Sequence, residues 1–249
     1  MVNPYSETFE GYGHYPSMPV RVGRQAPALG EDTLAALATR YVPDIADIVG
    51  SMYTMDAALH DITGSQQTIC GQALTVKCPP GDNWAIHAAL TLVRPGDILV
   101  VDWRGFTGAA GTGADALVVP HQNGLVGIVV DGAWRDIEEV RTIGVPIFGR
   151  GVSPAAPIKC QLGEINTPVH CAGVVCEAGD AVIAGPEGIA VVPSAQVAFV
   201  LENTKPYVHR TAISDWPAET LMAKSRARRE HYFDKVRAMG GTVDYLDLD

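Results

Sequence analysis

Two apolar runs, Ile98-Leu99-Val100-Val101 and Gly127-Ile128-Val129-Val130, each stop at an aspartate, Asp102 and Asp131. Neither run has a polar face, so each suits a strand covered on both sides rather than one wetted on one side. Helical spacing surrounds them. The segment 82–93 is apolar except for Asn83, His87 and Thr91 after its first residue, and these three recur every fourth position on one stripe. In 137–143, Ile137, Val140 and Ile143 supply an apolar face. Further helices are expected at 31–41, 45–52, 194–203 and 218–239. Strands are expected at 68–78, ended by Pro79-Pro80-Gly81, at 145–148, and as short pieces within 169–192. Buried strands alternating with helices predict a layered α/β fold, with chemistry gathered at the carboxyl ends of the strands.

The length of 249 residues, 47% hydrophobic and 18% charged, suits one large domain with two appendages. Residues 1–30, punctuated by proline and glycine, read as an irregular arm; 31–205 as the α/β domain; and 206–249 as a C-terminal helical extension. A net charge of -10 argues against a nucleic-acid partner. The cluster Lys224 to Arg229 reads as a solvated helix face. The opening residues lack the pattern of a signal peptide, and no apolar stretch reaches the roughly 20 residues that cross a bilayer. A cytoplasmic protein without a membrane partner is expected. Five cysteines without C-x-x-C spacing indicate neither a disulfide framework nor a thiolate zinc site.

Arg135-Asp136 follows an expected Asp131-Gly132 turn and opens the helix at 137. Two readings of Asp136 stay open: a helix N-cap, with Glu139 completing something close to a capping box, or a ligand for a hard cation beside the guanidinium fork of Arg135. The glycine-rich stretch 105–113 reads as a loop whose free N–H groups, entering a helix near Ala114-Asp115, could hold a carboxylate. It lacks the layout of a P-loop or a dinucleotide fingerprint. His87 either faces this site or is a structural histidine. Lys159 either pairs with an anionic substrate or lies on the surface.

Three blocks carry a resemblance: Pro-Gly-Asp-Ile-Leu-Val-Val-Asp (95–102), Gly-Ile-Val-Val-Asp-Gly-Ala-Trp-Arg-Asp (127–136) and Gly-Val-Pro-Ile-Phe-Gly-Arg-Gly-Val-Ser-Pro (144–154). In order and spacing they resemble the RraA-like family over residues 71–193. That family includes class II 4-hydroxy-4-methyl-2-oxoglutarate / 4-carboxy-4-hydroxy-2-oxoadipate aldolases and a protein regulator of ribonuclease E. The resemblance implies an αββα sandwich assembled as homotrimers or hexamers, with active sites between subunits. It implies a lyase that uses Mg²⁺ or Mn²⁺ to release pyruvate from a small oxo-acid, with oxaloacetate decarboxylation as a second activity. Asp136 falls on the metal ligand, Arg135 on the enolate-stabilising arginine, and Lys159 on a pocket lysine. The N–H groups of Gly113, Ala114, Asp115 and Ala116 fall on the loop that holds the substrate carboxylate, near His87. Ala114 stands where the aldolases usually carry an acidic residue. Asp115 follows one step later, about 100° further round a helix, as a candidate catalytic replacement. The alternatives are another metal-dependent lyase or hydrolase, or a non-catalytic binding protein that masks a ribonuclease.

Overall fold

The computed structural model describes residues 20–207 and 216–244. The chain divides into two compact units, 1–207 and 208–249. In the first, the helices are α1 (Glu31–Ala38), α2 (Val42–Val49), α3 (Trp84–Leu90), α4 (Val118–Gln122), α5 (Ile137–Ile143) and α6 (Val197–Asn203). The strands are β1 (His60–Asp61), β2 (Ile69–Lys77), β3 (Asp97–Ala110), β4 (Gly127–Trp134), β5 (Ile147–Val152), β6 (Glu164–Ile165), β7 (Val169–Cys171), β8 (Val174–Cys176), β9 (Ala181–Gly185) and β10 (Gly188–Val192). One mixed sheet runs β1-β5-β4-β3-β2-β9-β10, with β6 also on β2, and β7-β8 form a separate hairpin. The central pairs β2-β3, β3-β4 and β4-β5 are parallel.

The apolar runs are central strands because every side chain in them is covered. Leu74, Leu99, Ile128 and Ile147 stand in register and pack with Ile86, Leu90 and Val140 of α3 and α5. On the opposite face Val100, Val129 and Phe148 meet Val182, Ile189 and Val191 of β9 and β10, so the sheet curls over on itself. The outer face of the curled part, with Ile183, Ala190 and Val192, is covered by Leu37, Ile45 and Val200 of α1, α2 and α6. Helix, strand, strand and helix layers follow in that order.

Several boundaries differ from the sequence reading. Neither β3 nor β4 stops at its aspartate. Both continue with register shifts after Val101 and Val130, so 105–110 is strand rather than loop and Asp131-Gly132 is no turn. Such shifts are bulges, which let a strand continue and re-aim its side chains. Asp131 pairs with Arg150 and accepts the Ala172 N–H at 3.3 Å; Asp102 accepts the N–H groups of Arg104 at 3.2 Å and His170 at 3.4 Å. These two buried carboxylates therefore hold the β7-β8 hairpin. Helix α3 is shorter than 82–93, and Trp84 at its start faces outward rather than into the core.

Residues 20–30 lie along the body. The Gly23 N–H donates to the Ile165 carbonyl at 2.7 Å, and the Gln72 side chain binds the Pro27 carbonyl at 2.6 Å and the Leu29 N–H at 3.0 Å. The remainder of the expected arm, 1–19, lies outside the described residues, as do 208–215 and 245–249 of the C-terminal extension. The second unit carries α7 (Ala218–Ala238), which has no buried residue and exposes most of the 224–229 cluster; Lys224 lies over the Trp216 ring. All five cysteines are free, four of them buried and Cys160 exposed. Among the described residues no helix is long and apolar enough to cross a membrane.

Candidate functional site

Strand β4 ends at Trp134, and the next two residues turn the chain into α5. Asp136 takes the left-handed conformation there, at φ 57° and ψ 40°, and its side chain makes no capping bond. A capping side chain needs extended backbone at that position, so the N-cap reading does not hold. Left-handed backbone in a non-glycine residue is strained, and such strain persists where the surroundings fix it. Here they do. The Asp136 carboxylate accepts the Ala114 N–H at 3.3 Å, and a Cβ on Gly113 would collide with its Oδ2. Arg135 Nε lies 3.6 Å from the same oxygen and 3.4 Å from where that Cβ would stand. This Nε is sealed from water and has no hydrogen-bond acceptor.

The loop Gly111-Thr112-Gly113 leads from β3 into a short helical turn at Asp115–Leu117, and it is buried along with Ala114. Trp134 packs so closely on Gly111 that a Cβ there would lie 2.6 Å from the indole ring. From the other side, Asn83 Nδ2 donates to the Gly111 carbonyl at 2.6 Å and lies 3.1 Å from His87 Nε2. The Gly111 contact fixes which end of the amide faces the histidine. His87 Nε2 is thereby the acceptor, which makes the ring neutral with its proton on Nδ1. Thr112 Oγ1 stands 3.5 Å from the same nitrogen.

Burial holds the His87 pKa below its ordinary value; the charge of Lys159 lowers it further and that of Asp115 opposes it. Both charged residues expected from the sequence therefore exert their fields on His87, around the loop whose other flank carries Arg135 and Asp136. Asp115 is exposed, whereas Ala114, one step back, is buried. The acidic group thus sits on the outer side of the turn, not on the buried side that Ala114 occupies.

Two contributors escaped the sequence reading. Asn83 is almost fully buried and ties α3 to the loop, with its Oδ1 left without a donor. Asp82, also buried, accepts the N–H groups of Trp84, Cys160 and Gln161 and so fastens α3 to the segment carrying Lys159. The signal was Pro-Pro-Gly-Asp-Asn at 79–83, a turn that places two short polar side chains at a helix start.

Asp136 stands without a ring of protein ligands: among the described residues no three His, Cys, Asp or Glu side chains converge. A single half-exposed carboxylate suits a small hard cation that keeps most of its water, such as Mg²⁺, and does not suit zinc, which takes three or four protein ligands.

Comparison with known proteins follows the same residues. The RraA-like family (Aldolase/RraA) matches residues 42–191. A protein of Halalkalibacterium halodurans, described as "Putative 4-hydroxy-4-methyl-2-oxoglutarate aldolase", is 34% identical over 161 residues, which is 65% of this chain and 76% of that one. One of Arabidopsis thaliana under the same description, numbered 3, is 31% identical over 137 residues, covering 54% of this chain and 82% of its own. The crystal structure of Streptomyces coelicolor RraAS2, described as an unusual member of the RNase ES inhibitor RraA protein family, superimposes with a TM-score of 0.63 at 26% identity, over 71% of this chain and 92% of that one. With a family match over more than half its length, laid on the strands and loop that build the site, the chain belongs to the RraA-like family.

Proposed function

We propose that this chain is a lyase that cleaves a carbon–carbon bond of a small 2-oxo acid and releases pyruvate, with 4-hydroxy-4-methyl-2-oxoglutarate as the substrate type and oxaloacetate as a substrate for decarboxylation. The observation that carries the reading is the Arg135–Asp136 pair. It combines a guanidinium Nε shut off from water with no acceptor and, 3.6 Å away, a partly open carboxylate held in left-handed backbone. The Nε has no acceptor within hydrogen-bonding distance, and the carboxylate has that guanidinium as its ion-pair partner at a separation longer than a hydrogen bond. A buried donor without an acceptor is destabilising, so an incoming oxyanion binds to a group that is already desolvated.

Asp136 would hold the Mg²⁺ or Mn²⁺. When bound, the ion supplies Lewis-acid polarisation of the 2-oxo group. The chain's own residues do the rest. The N–H groups of Gly113, Asp115 and Ala116, at the opening of the helical turn, orient the substrate carboxylate, while that of Ala114, expected to join them, is given to Asp136. Arg135 faces the oxygen that gains charge as the bond breaks. Asp115 takes up the C4 hydroxyl proton through water. Lys159 and His87 border the pocket, and the lysine pairs with an anionic leaving fragment. Oxaloacetate needs no hydroxyl proton removed, so it dispenses with Asp115 and draws on Asp136, Arg135 and the loop. The working assembly is a homotrimer or a pair of trimers in the cytoplasm. Its partner is the oxo-acid rather than nucleic acid or membrane, in keeping with the charge of -10.

Pyruvate release from both compounds, with Mg²⁺ or EDTA, tests this on the native protein and on Asp136→Ala. Release should stop with EDTA and fall about a hundredfold or more in the variant. A native protein that binds the ion yet releases no pyruvate from either compound would sink the chemistry.

A further inference from the structure

Asp82 has no part in that chemistry, yet it is fully buried and satisfied by its own helix start and by one distant segment. Its Oδ1 accepts the Trp84 N–H at 2.9 Å, at the start of the helix that carries His87. Its Oδ2 accepts the N–H groups of Cys160 at 2.7 Å and Gln161 at 2.9 Å, the two residues that follow Lys159. Burial pushes the carboxyl pKa up, but these N–H groups outweigh it and keep the group below its usual range, ionised. The segment has little else to fix it. Residues 158–162 are all exposed, and their other backbone bonds return to the same turn: Ile158 N–H to the Gly81 carbonyl at 2.9 Å, and Asn83 N–H to the Ile158 carbonyl at 3.2 Å. Capping α3 would need one oxygen only. The second is committed to a segment 78 residues away.

We infer that Asp82 is the positioning residue for Lys159: by clamping the 158–161 segment to the start of α3 it fixes the lysine at the site, and so sets the affinity for an oxo-acid whose leaving fragment carries its own carboxylate. The inference rests on the pyruvate-releasing reading above. It distinguishes binding of the leaving fragment, which passes through Lys159, from stabilisation of the enolate, which passes through Arg135. Weakening the clamp therefore acts on KM and spares kcat.

The test is steady-state kinetics with 4-hydroxy-4-methyl-2-oxoglutarate on the full chain. Asp82→Asn keeps the shape but turns an oxygen that receives N–H groups into an NH2. KM should rise about tenfold, the size expected when one charge-assisted hydrogen bond to the substrate is removed, with kcat within about twofold. In a Lys159→Ala background the same change should add nothing, because the two residues act as one unit. Gln161→Pro removes one donor from the exposed side and leaves the buried carboxylate intact. It should raise KM in the same way, again only when Lys159 is present, and it decides the matter if Asp82→Asn fails to fold. An Asp82→Asn effect that persists in full without Lys159, a loss in kcat rather than KM, or an unchanged KM in Gln161→Pro would overturn the assignment while leaving the pyruvate-releasing activity standing. A native protein that releases no pyruvate would overturn both.

Discussion

The ring of His87 shows how little of a site need come from the residue itself. Its neutral state is set by an amide whose orientation is fixed elsewhere, by partial burial, and by two opposed charges. The sign of each contribution can be tested. Lys159→Ala removes a charge that disfavours the imidazolium, so the His87 pKa should rise; Asp115→Asn removes one that favours it, so the pKa should fall. Titration of the ring resonances by NMR would check both, and opposite or absent shifts would mean that the two charges do not act on this ring. The sequence placed Asn83 and His87 on one helical stripe. It could not show that Asn83 also holds Gly111, because that contact joins residues 28 positions apart.

Among the elements, the decisive feature is how far β3 and β4 run. A buried charge normally marks the end of a buried strand, since an unpaired carboxylate in the core is strongly destabilising. Asp102 and Asp131 escape that penalty through Arg150 and through the backbone of the β7-β8 hairpin, partners no local pattern reveals. Both strands therefore continue, and β4 delivers Arg135 and Asp136 beside a loop whose Gly111 and Gly113 have no room for a Cβ. Gly113→Ala tests that fit. The new Cβ must displace the Asp136 carboxylate, so pyruvate release should fall at least about tenfold, while far-UV circular dichroism and the thermal midpoint stay close to native. Unimpaired release would show that Asp136 need not sit against the loop. The capping pattern at Asp136 and Glu139 misled for a related reason: local sequence gives the helix start, but the backbone angle that decides whether the side chain can cap comes from the loop behind it.

Across the whole molecule, three clusters of buried apolar side chains fill the spaces between four layers, and all their residues lie between Leu29 and Leu201. A chain ending at Tyr207 should therefore unfold cooperatively, with a midpoint within a few degrees of the full-length protein. A collapse of that transition would assign residues 208–249 a part in the core. What the sequence by itself determined is the layering and the position of the Arg135-Asp136 pair: unbroken apolar runs must be covered on both faces, and the pair that follows one of them falls at a strand's carboxyl end. Only the tertiary structure decided where those strands stop, which aspartates are structural, and what holds the Gly111–Gly113 loop in place. Each of those outcomes depends on a buried polar group finding its partner. Partners such as Arg150 for Asp131, Gly111 for Asn83, and Cys160 and Gln161 for Asp82 are brought near only by the folding of distant segments.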